Sequence, residues 1–337
     1  MKKTFIKVLI AAISISIILV LSELFLRTFY PVYLTGFIGA YQYDETLGVR
    51  LKDNVHLLKS TDYQQEIYTN KYGTVNIQDS FSEYNIKIFA IGDSYTQGVG
   101  LPLDASYPFQ LSMMLNIKNN RFIKQYAVIN LGLAAFGTIQ ATLSLTKYKD
   151  IFGSPDYIIY LGSSNDYSDD VLFEQGYRHK HLVEGNPRWG AWLKPIQWLT
   201  NDTEVGKRLK IALGQWRRQF HVSPRIPKTQ NNKNTPTPSI AKLQKSKLEK
   251  LLAKAREMNA HLIVSWADLP TNSPDSYHWL KKWARTNNVP FADWHPLYKS
   301  ITEAMPNLPI TNPHSGGHYR TWVNSIIANS FAEHIHH

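Results

Sequence analysis

The 337-residue chain has no cysteine. That excludes disulfide scaffolds, thiolate zinc sites, iron–sulfur clusters, cysteine nucleophiles and the lipidated cysteine of bacterial lipoprotein anchors together. Acidic side chains are also few, 26 Asp and Glu against 37 Lys and Arg, for a net charge of +11. The imbalance is local: residues 201–260 hold 14 Lys/Arg and 4 Asp/Glu, and the remainder is almost neutral. Such a basic stretch is ordinarily a solvated helix or loop, and otherwise a site for a polyanion. No internal repeat is present, and no motif points to a metal or an organic cofactor. What the chain does have is apolar and aromatic content of 43% and 12%, which supports a sizeable packed core and argues against disorder.

The compartment is set by the first residues. Lys2, Lys3 and Lys7 precede an apolar run from Val8 to Leu21 that leaves through Ser22, Glu23, Leu24, Phe25 and Leu26 to Arg27. About 19 helical residues at about 1.5 Å each span a bilayer core. A cleavable signal peptide usually places small residues just before its cleavage site, and this exit has none. The run therefore reads as an uncleaved signal anchor, with a cleaved signal and a buried helix as the competing readings. Lysines before the run keep the N-terminus cytoplasmic, so the rest of the chain is expected outside the inner membrane, in the periplasm. That placement argues against nucleic acid as the partner of the basic segment.

We divide the chain into a signal anchor or transmembrane helix over 1–29, a membrane-proximal β-rich collar over 30–84, and an α/β domain over 85–337. In the last, strands at Ile86–Ile91, Ala127–Leu131, Tyr157–Leu161 and His261–Trp266, with a short one at Val289–Ala292, alternate with helices. The helices are expected at Ala105–Leu115, Ile139–Tyr148, Ser239–Asn259, Ser276–Thr286 and Trp322–His334. The pattern predicts a three-layer α/β/α sandwich around a parallel, flavodoxin-like sheet. Residues near 221–238, rich in Pro, Asn, Thr and Lys, read as a basic mobile insertion rather than a boundary, because the alternation resumes after them.

In an open α/β sheet, ligands bind beyond the carboxyl ends of the strands. The first strand runs into Gly92, Asp93, Ser94, Tyr95, Thr96, Gln97 and Gly98. Asp93 or Ser94 could simply cap a helix; alternatively Ser94 is a nucleophile whose backbone N–H and helix dipole face developing negative charge. The second strand ends in Asn130-Leu-Gly-Leu-Ala-Ala135-Phe-Gly-Thr138, where small residues admit either a ligand or a tight turn. The third ends in Gly162-Ser-Ser-Asn165-Asp166, where the Asn165 amide could serve an oxyanion or an Asx turn. Just before the last expected helix comes Asn312-Pro-His314-Ser-Gly-Gly-His318-Tyr319, and a histidine on that loop could reach Ser94.

Together, in this order and at strand ends, these blocks resemble the SGNH hydrolases, the GDSL esterase/lipase superfamily. IGDSYTQGVG at 91–100 is similar to the first block, NLGLAAFGTIQ at 130–140 to the second, GSSND at 162–166 to the third and GHYRTWVNSIIA at 317–328 to the last. YDETLGVRLKDN at 43–54 is similar to a segment of membrane-anchored bacterial members. The resemblance covers roughly residues 40–335. It implies Ser94 as nucleophile, His318 as general base, and an oxyanion hole made by the Ser94 N–H, a backbone N–H near Ala135 and the Asn165 side chain. His318 rather than His314 is selected by spacing, since the family's alanine ten residues beyond its histidine falls on Ala328 only from His318.

Two departures from the pattern matter. Ala135 stands where relatives have glycine, which leaves a backbone donor intact unless the position needs a positive φ. Relatives place an aspartate two or three residues before the histidine, where this chain has Gly316 and Ser315; Asn312 is the nearest polar residue and carries no charge to stabilise an imidazolium. The resemblance implies acyl-ester chemistry and the anchor points to the cell envelope, so a membrane-anchored, extracytoplasmic serine esterase or O-acyltransferase acting on acyl, chiefly acetyl, esters of cell-envelope glycans is expected. A membrane acyltransferase is a conceivable partner. The alternative is a catalytically impaired binding or scaffold protein on the same fold, acting in envelope polysaccharide modification.

Overall fold

The computed structural model describes residues 2–29, 41–60, 64–118, 125–176, 199, 203–219, 240–272, 274–312 and 317–335. In chain order these form α1 (Lys2–Phe29), β1 (Tyr41–Asp44), β2 (Gly48–Leu51), β3 (His56–Ser60), β4 (Gln64–Tyr68), β5 (Ile86–Gly92), α2 (Ser94–Gln97), α3 (Tyr107–Lys118), β6 (Tyr126–Asn130), α4 (Thr138–Phe152) and β7 (Tyr157–Gly162). They continue with α5 (Asp166–Glu174), α6 (Glu204–Gln219), α7 (Ile240–Glu257), β8 (His261–Trp266), α8 (Pro274–Thr286), α9 (His295–Ala304) and α10 (Thr321–Ala332).

The chain resolves into two compact units. The first gathers residues 1–36, 58–64 and 186–235. Its α1 contains a stretch, Thr4–Phe29, long and apolar enough to cross a membrane. Near the end of α1 the Glu23 carboxylate accepts hydrogen bonds from Glu204 N (2.9 Å) and Val205 N (3.1 Å). It thereby satisfies two of the donors that the first turn of α6 leaves without helical partners. Arg27 pairs with Glu23 one turn along at 3.0 Å.

The second unit gathers residues 37–57, 65–185 and 236–337. Its sheet has the order β6-β5-β7-β8, and every neighbouring pair is parallel. β5 and β7 are central strands covered on both faces, which is why Phe89-Ala-Ile91 and Ile158-Ile-Tyr-Leu161 are continuous apolar runs rather than alternating ones. One face packs against α4, α7 and α8 through Leu145, Phe152, Leu251, Ala255 and Trp283. The other packs against α3 and α10 through Leu111, Leu115, Val323, Ile327 and Phe331. This is the three-layer arrangement that the alternation predicts.

The short strand expected at Val289–Ala292 is reduced to a single parallel bridge between Phe291 and Val264. Pro290 has no N–H to offer a further strand, as suits a sheet edge. The expected helix from Ala105 starts instead at Tyr107, after a 3₁₀ turn over Leu103–Ala105. Of the collar, β1 and β2 form an antiparallel hairpin, and β3 pairs with β4. Tyr41, Leu47, Val49, Leu51, Val75 and Phe81 join the same core as the inner face of β5. Gln140 on α4 donates to Leu47 O at 2.8 Å, and Lys147 pairs with Asp44. The expected mobile insertion near 221–238 lies outside the described residues.

Candidate active site

Ser94 occupies the turn between β5 and α2, at the carboxyl edge of a central strand. Three features force the turn. Gly92 has a φ of 150°, and a Cβ there would lie 2.8 Å from Leu161 O and against Thr96 Oγ1. Asp93 caps α2 by accepting from Tyr95 N at 2.9 Å. Gly98 then ends α2 in the left-handed region, its N–H returning to Ser94 O at 3.1 Å. The capping role of Asp93 considered from the sequence is thus real, and it leaves the Ser94 hydroxyl uncommitted to the helix.

That hydroxyl meets His318. His318 Nε2 lies 2.7 Å from Ser94 Oγ, so residues 224 positions apart share one hydrogen bond. The histidine is held by its backbone. Thr311 and Tyr319 form an antiparallel bridge, Asn312 N donates to His318 O at 3.0 Å, and Arg320 N donates to Ile310 O at 2.9 Å. The Tyr95 ring packs against both His318 (5.1 Å between centroids) and Tyr319 (5.2 Å), which limits rotation of the imidazole. Asn312 is buried and its amide donates to Gly100 O at 3.0 Å, tying the histidine loop to the end of the first block. His314, Ser315 and Gly316 lie outside the described residues.

The second block is stitched to the serine turn. Leu133 N donates to Gly92 O at 3.2 Å, Ala134 N to Gln97 Oε1 at 2.7 Å, and Asn130 Nδ2 to Thr96 O at 2.8 Å. Gly132 has to be glycine, because a Cβ there would fall 2.5 Å from Thr96 Cβ and 2.7 Å from Gln97 N. Ala135 has a φ of 75°, so the condition that would make its departure from glycine costly is met.

The third block forms a buried carboxylate network. Ser163 Oγ lies 2.8 Å from Asp93 Oδ2, 2.5 Å from Asn165 Oδ1 and 2.9 Å from Asp166 Oδ1. A hydroxyl has one proton to give, so these three acceptors compete for it. Burial, reinforced by repulsion from Asp93, raises Asp166 well above the ordinary carboxylate range. Burial also pushes Asp93 up to about 6, against hydrogen bonds from Tyr95 N, Ser163 and Asn165. Asp170, raised to about 6 by burial, accepts from Ile139 N at 2.8 Å and pairs with Lys247 at 3.2 Å. The Asn165 amide donates to Asp169 Oδ2 at 2.7 Å, so the side chain expected to face an oxyanion is turned toward this network.

Several contributors were not legible beforehand. Asp268, past the end of β8, accepts from Ser164 N at 2.6 Å and fixes the third-block loop. Its own backbone carbonyl lies 3.0 Å from His295 Nε2, and His295 Nδ1 lies 3.0 Å from Asp293 Oδ1. Burial works against ionisation of Asp293, yet hydrogen bonds from His295, Lys281 and Tyr277 hold it well below the ordinary carboxylate range. From the collar, Asn76 exchanges two 3.0 Å hydrogen bonds with the Asn130 backbone. The only sequence signal for these residues is their place just past a strand end or, for Asn76, none. Among the described residues no group of three or more histidine or carboxylate side chains is arranged to hold a metal ion.

No protein-family model matches the chain, and no curated protein matches it. Solved structures do. The chain is similar to the acetyl xylan esterase AlAXEase at 14% identity and a TM-score of 0.43, over 74% of this chain and 100% of that one. It is similar to LAE5, an alpha/beta hydrolase enzyme from the metagenome of Lake Arreo, Spain, at 14% identity and a TM-score of 0.43, over 74% and 94%. A lipolytic protein of the G-D-S-L family from Veillonella parvula shows 12% identity and a TM-score of 0.39, over 74% and 97%.

Proposed function

We propose that this chain is a membrane-anchored, extracytoplasmic serine esterase or O-acyltransferase of the SGNH type, acting on acyl, chiefly acetyl, esters of cell-envelope glycans. The observation that carries the reading is the 2.7 Å contact between His318 Nε2 and Ser94 Oγ at the carboxyl end of a central parallel strand. With His318 neutral and protonated on Nδ1, Nε2 accepts the Ser94 proton as Oγ attacks the ester carbonyl. The tetrahedral intermediate places its negative charge near the backbone N–H groups of Ser94 and Ala135. Loss of one such donor typically costs about 2.7–4 kcal/mol of transition-state stabilisation. Asn165 adds a third donor only by turning from Asp169. Collapse of the intermediate expels the sugar hydroxyl, protonated by His318, and leaves an acyl-Ser94 enzyme. Water then completes hydrolysis, or a second sugar hydroxyl completes transfer.

The anchor motif motivates the envelope, and the four blocks motivate the acyl ester. The absence of a carboxylate at 315 and 316 favours one second reading, a binding or scaffold protein that keeps the fold without turnover. A fluorophosphonate probe separates the two. The first reading expects labelling at Ser94 that is lost in Ser94→Ala and in His318→Ala while the fold is retained. Absence of labelling and of turnover on acetyl esters in the wild type overturns it in favour of the second.

A further inference from the structure

Beyond the carboxyl ends of β7 and β8 the second unit holds a cavity of about 460 Å³, within the range of small-ligand sites. Its walls include Trp266, Trp279 and Tyr167, with Gln244, Asn272 and Asp275 among them. Trp266 is buried, whereas Trp279 and Tyr167 are half-buried and so present ring surface to the opening. The Oε1 of Gln244 is taken by the Thr138 hydroxyl at 3.1 Å, which leaves its amide N–H groups for a ligand.

Neither Ser94 nor His318 lines the cavity, and one buried side chain stands between it and the serine turn. Ser163 lines the cavity, and Ser163 Oγ is one hydrogen bond of 2.8 Å from Asp93, the residue before Ser94. No lysine, arginine or histidine is among the described lining residues. Lys247, whose ammonium sits 5.7 Å from the Tyr167 ring centre, is paired with Asp170 at 3.2 Å.

From this lining we infer that the cavity is a subsite for a neutral sugar unit of the glycan whose ester reaches Ser94, an inference that rests on the function proposed above. Pyranose rings present C–H edges of slight positive charge, which suit the negative faces of aromatic rings, and hydroxyls that suit amides and carboxylates. A uronate or phosphorylated sugar would face Asp275 with no cation among the described lining residues to meet its charge. The cavity thus selects neutral units against anionic ones.

The test compares substrates of the full chain in detergent. O-acetylated xylotriose serves as neutral probe, O-acetylated trigalacturonate as anionic probe, and 4-nitrophenyl acetate as a probe too small to need the cavity. Trp279→Ala and Gln244→Ala are expected to raise KM for the neutral trimer at least tenfold while leaving kcat/KM for 4-nitrophenyl acetate within twofold, and Trp279→Phe is expected to restore most of the loss. A better kcat/KM for the anionic trimer, or equal effects of both variants on the small and large esters, overturns the subsite. Calorimetry with unacetylated xylotriose supplies a readout independent of chemistry. Failure of the wild type on every ester, with binding that Trp279→Ala abolishes, overturns catalysis and keeps the subsite. No binding and no KM difference overturns the subsite and leaves catalysis standing.

Discussion

Ala135 gives the sharpest test of how the second block is built. An L-residue in the left-handed region brings Cβ too close to the following carbonyl oxygen, at a cost of about 1–2 kcal/mol. Ala135 bears that cost at φ 75°. Replacing it with glycine removes the clash but gives the unfolded chain more conformations to lose, which returns about 0.4–1 kcal/mol. The balance for Ala135→Gly is a gain of about 0–1.6 kcal/mol, centred on about 0.8 kcal/mol. A change of about 1 kcal/mol moves Tm by about 2–4 °C in domains of this order of size, so a rise of about 1–3 °C is expected. Nine tryptophans make intrinsic fluorescence a suitable monitor of unfolding. Ala135→Val, whose branched Cβ tolerates positive φ worse still, should lower Tm. Because glycine keeps the backbone N–H, turnover of 4-nitrophenyl acetate should stay within about twofold of wild type. A fall in Tm for Ala135→Gly, or glycine and valine moving Tm in the same direction, would refute the strain argument.

Three further outcomes are expected. Ser94→Ala and His318→Ala should each remove nearly all esterase activity because the pair acts as a unit, His314→Ala should be mild, and Gly316→Asp should raise kcat if His318 lacks an orienting carboxylate; loss of activity in His314→Ala with retention in His318→Ala would reverse the assignment. Asp93 and Asp170, raised from 3.8 to about 6, bind protons more tightly when folded, so their contribution to stability is full below about pH 4 and is lost as pH rises through about 6. Asp44 and Asp293 are lowered, so theirs is present above pH 3.8 and lost as pH falls below it. Tm should therefore rise on going from pH 7 to pH 5, with a smaller rise in Asp170→Asn, and a Tm that falls over that interval would contradict the burial of these acids. Alkaline phosphatase fused after His337 should be active in intact cells, and an active cytoplasmic reporter at the same point would place the domain on the other side of the membrane.

What the sequence made legible follows from where its constraints act. Strand ends of a parallel sheet are fixed by hydrophobic runs, so Ser94, Ala135 and Asn165 could be placed at one edge without knowing any contact between them. The expectation of His318 rests on its spacing to Ala328. Ala328 is fully buried on α10 against the sheet, where a larger side chain would push the helix and the preceding loop outward. What stayed illegible is burial that composition hides. α5 opens with Asp166, Asp169 and Asp170, and all three are buried, met by Tyr160, Ser163 and Asn165 from the preceding strand and loop and by Ile139 N and Lys247 from other helices.

The same hidden network changes what the asparagine of the third block can be asked to do. Read from sequence, Asn165 is a donor for an oxyanion or part of an Asx turn; in the fold, its amide helps hold a nest of carboxyls whose pKa values burial raises. The carboxyls in turn set Ser163, and through Asp93 they set the cap of the helix that begins with Ser94. Charge in that nest is therefore coupled to the position of the serine. An anionic intermediate at Ser94 would be opposed by every proton the nest loses, so the protonated form of these carboxyls is the one compatible with negative charge developing beside it.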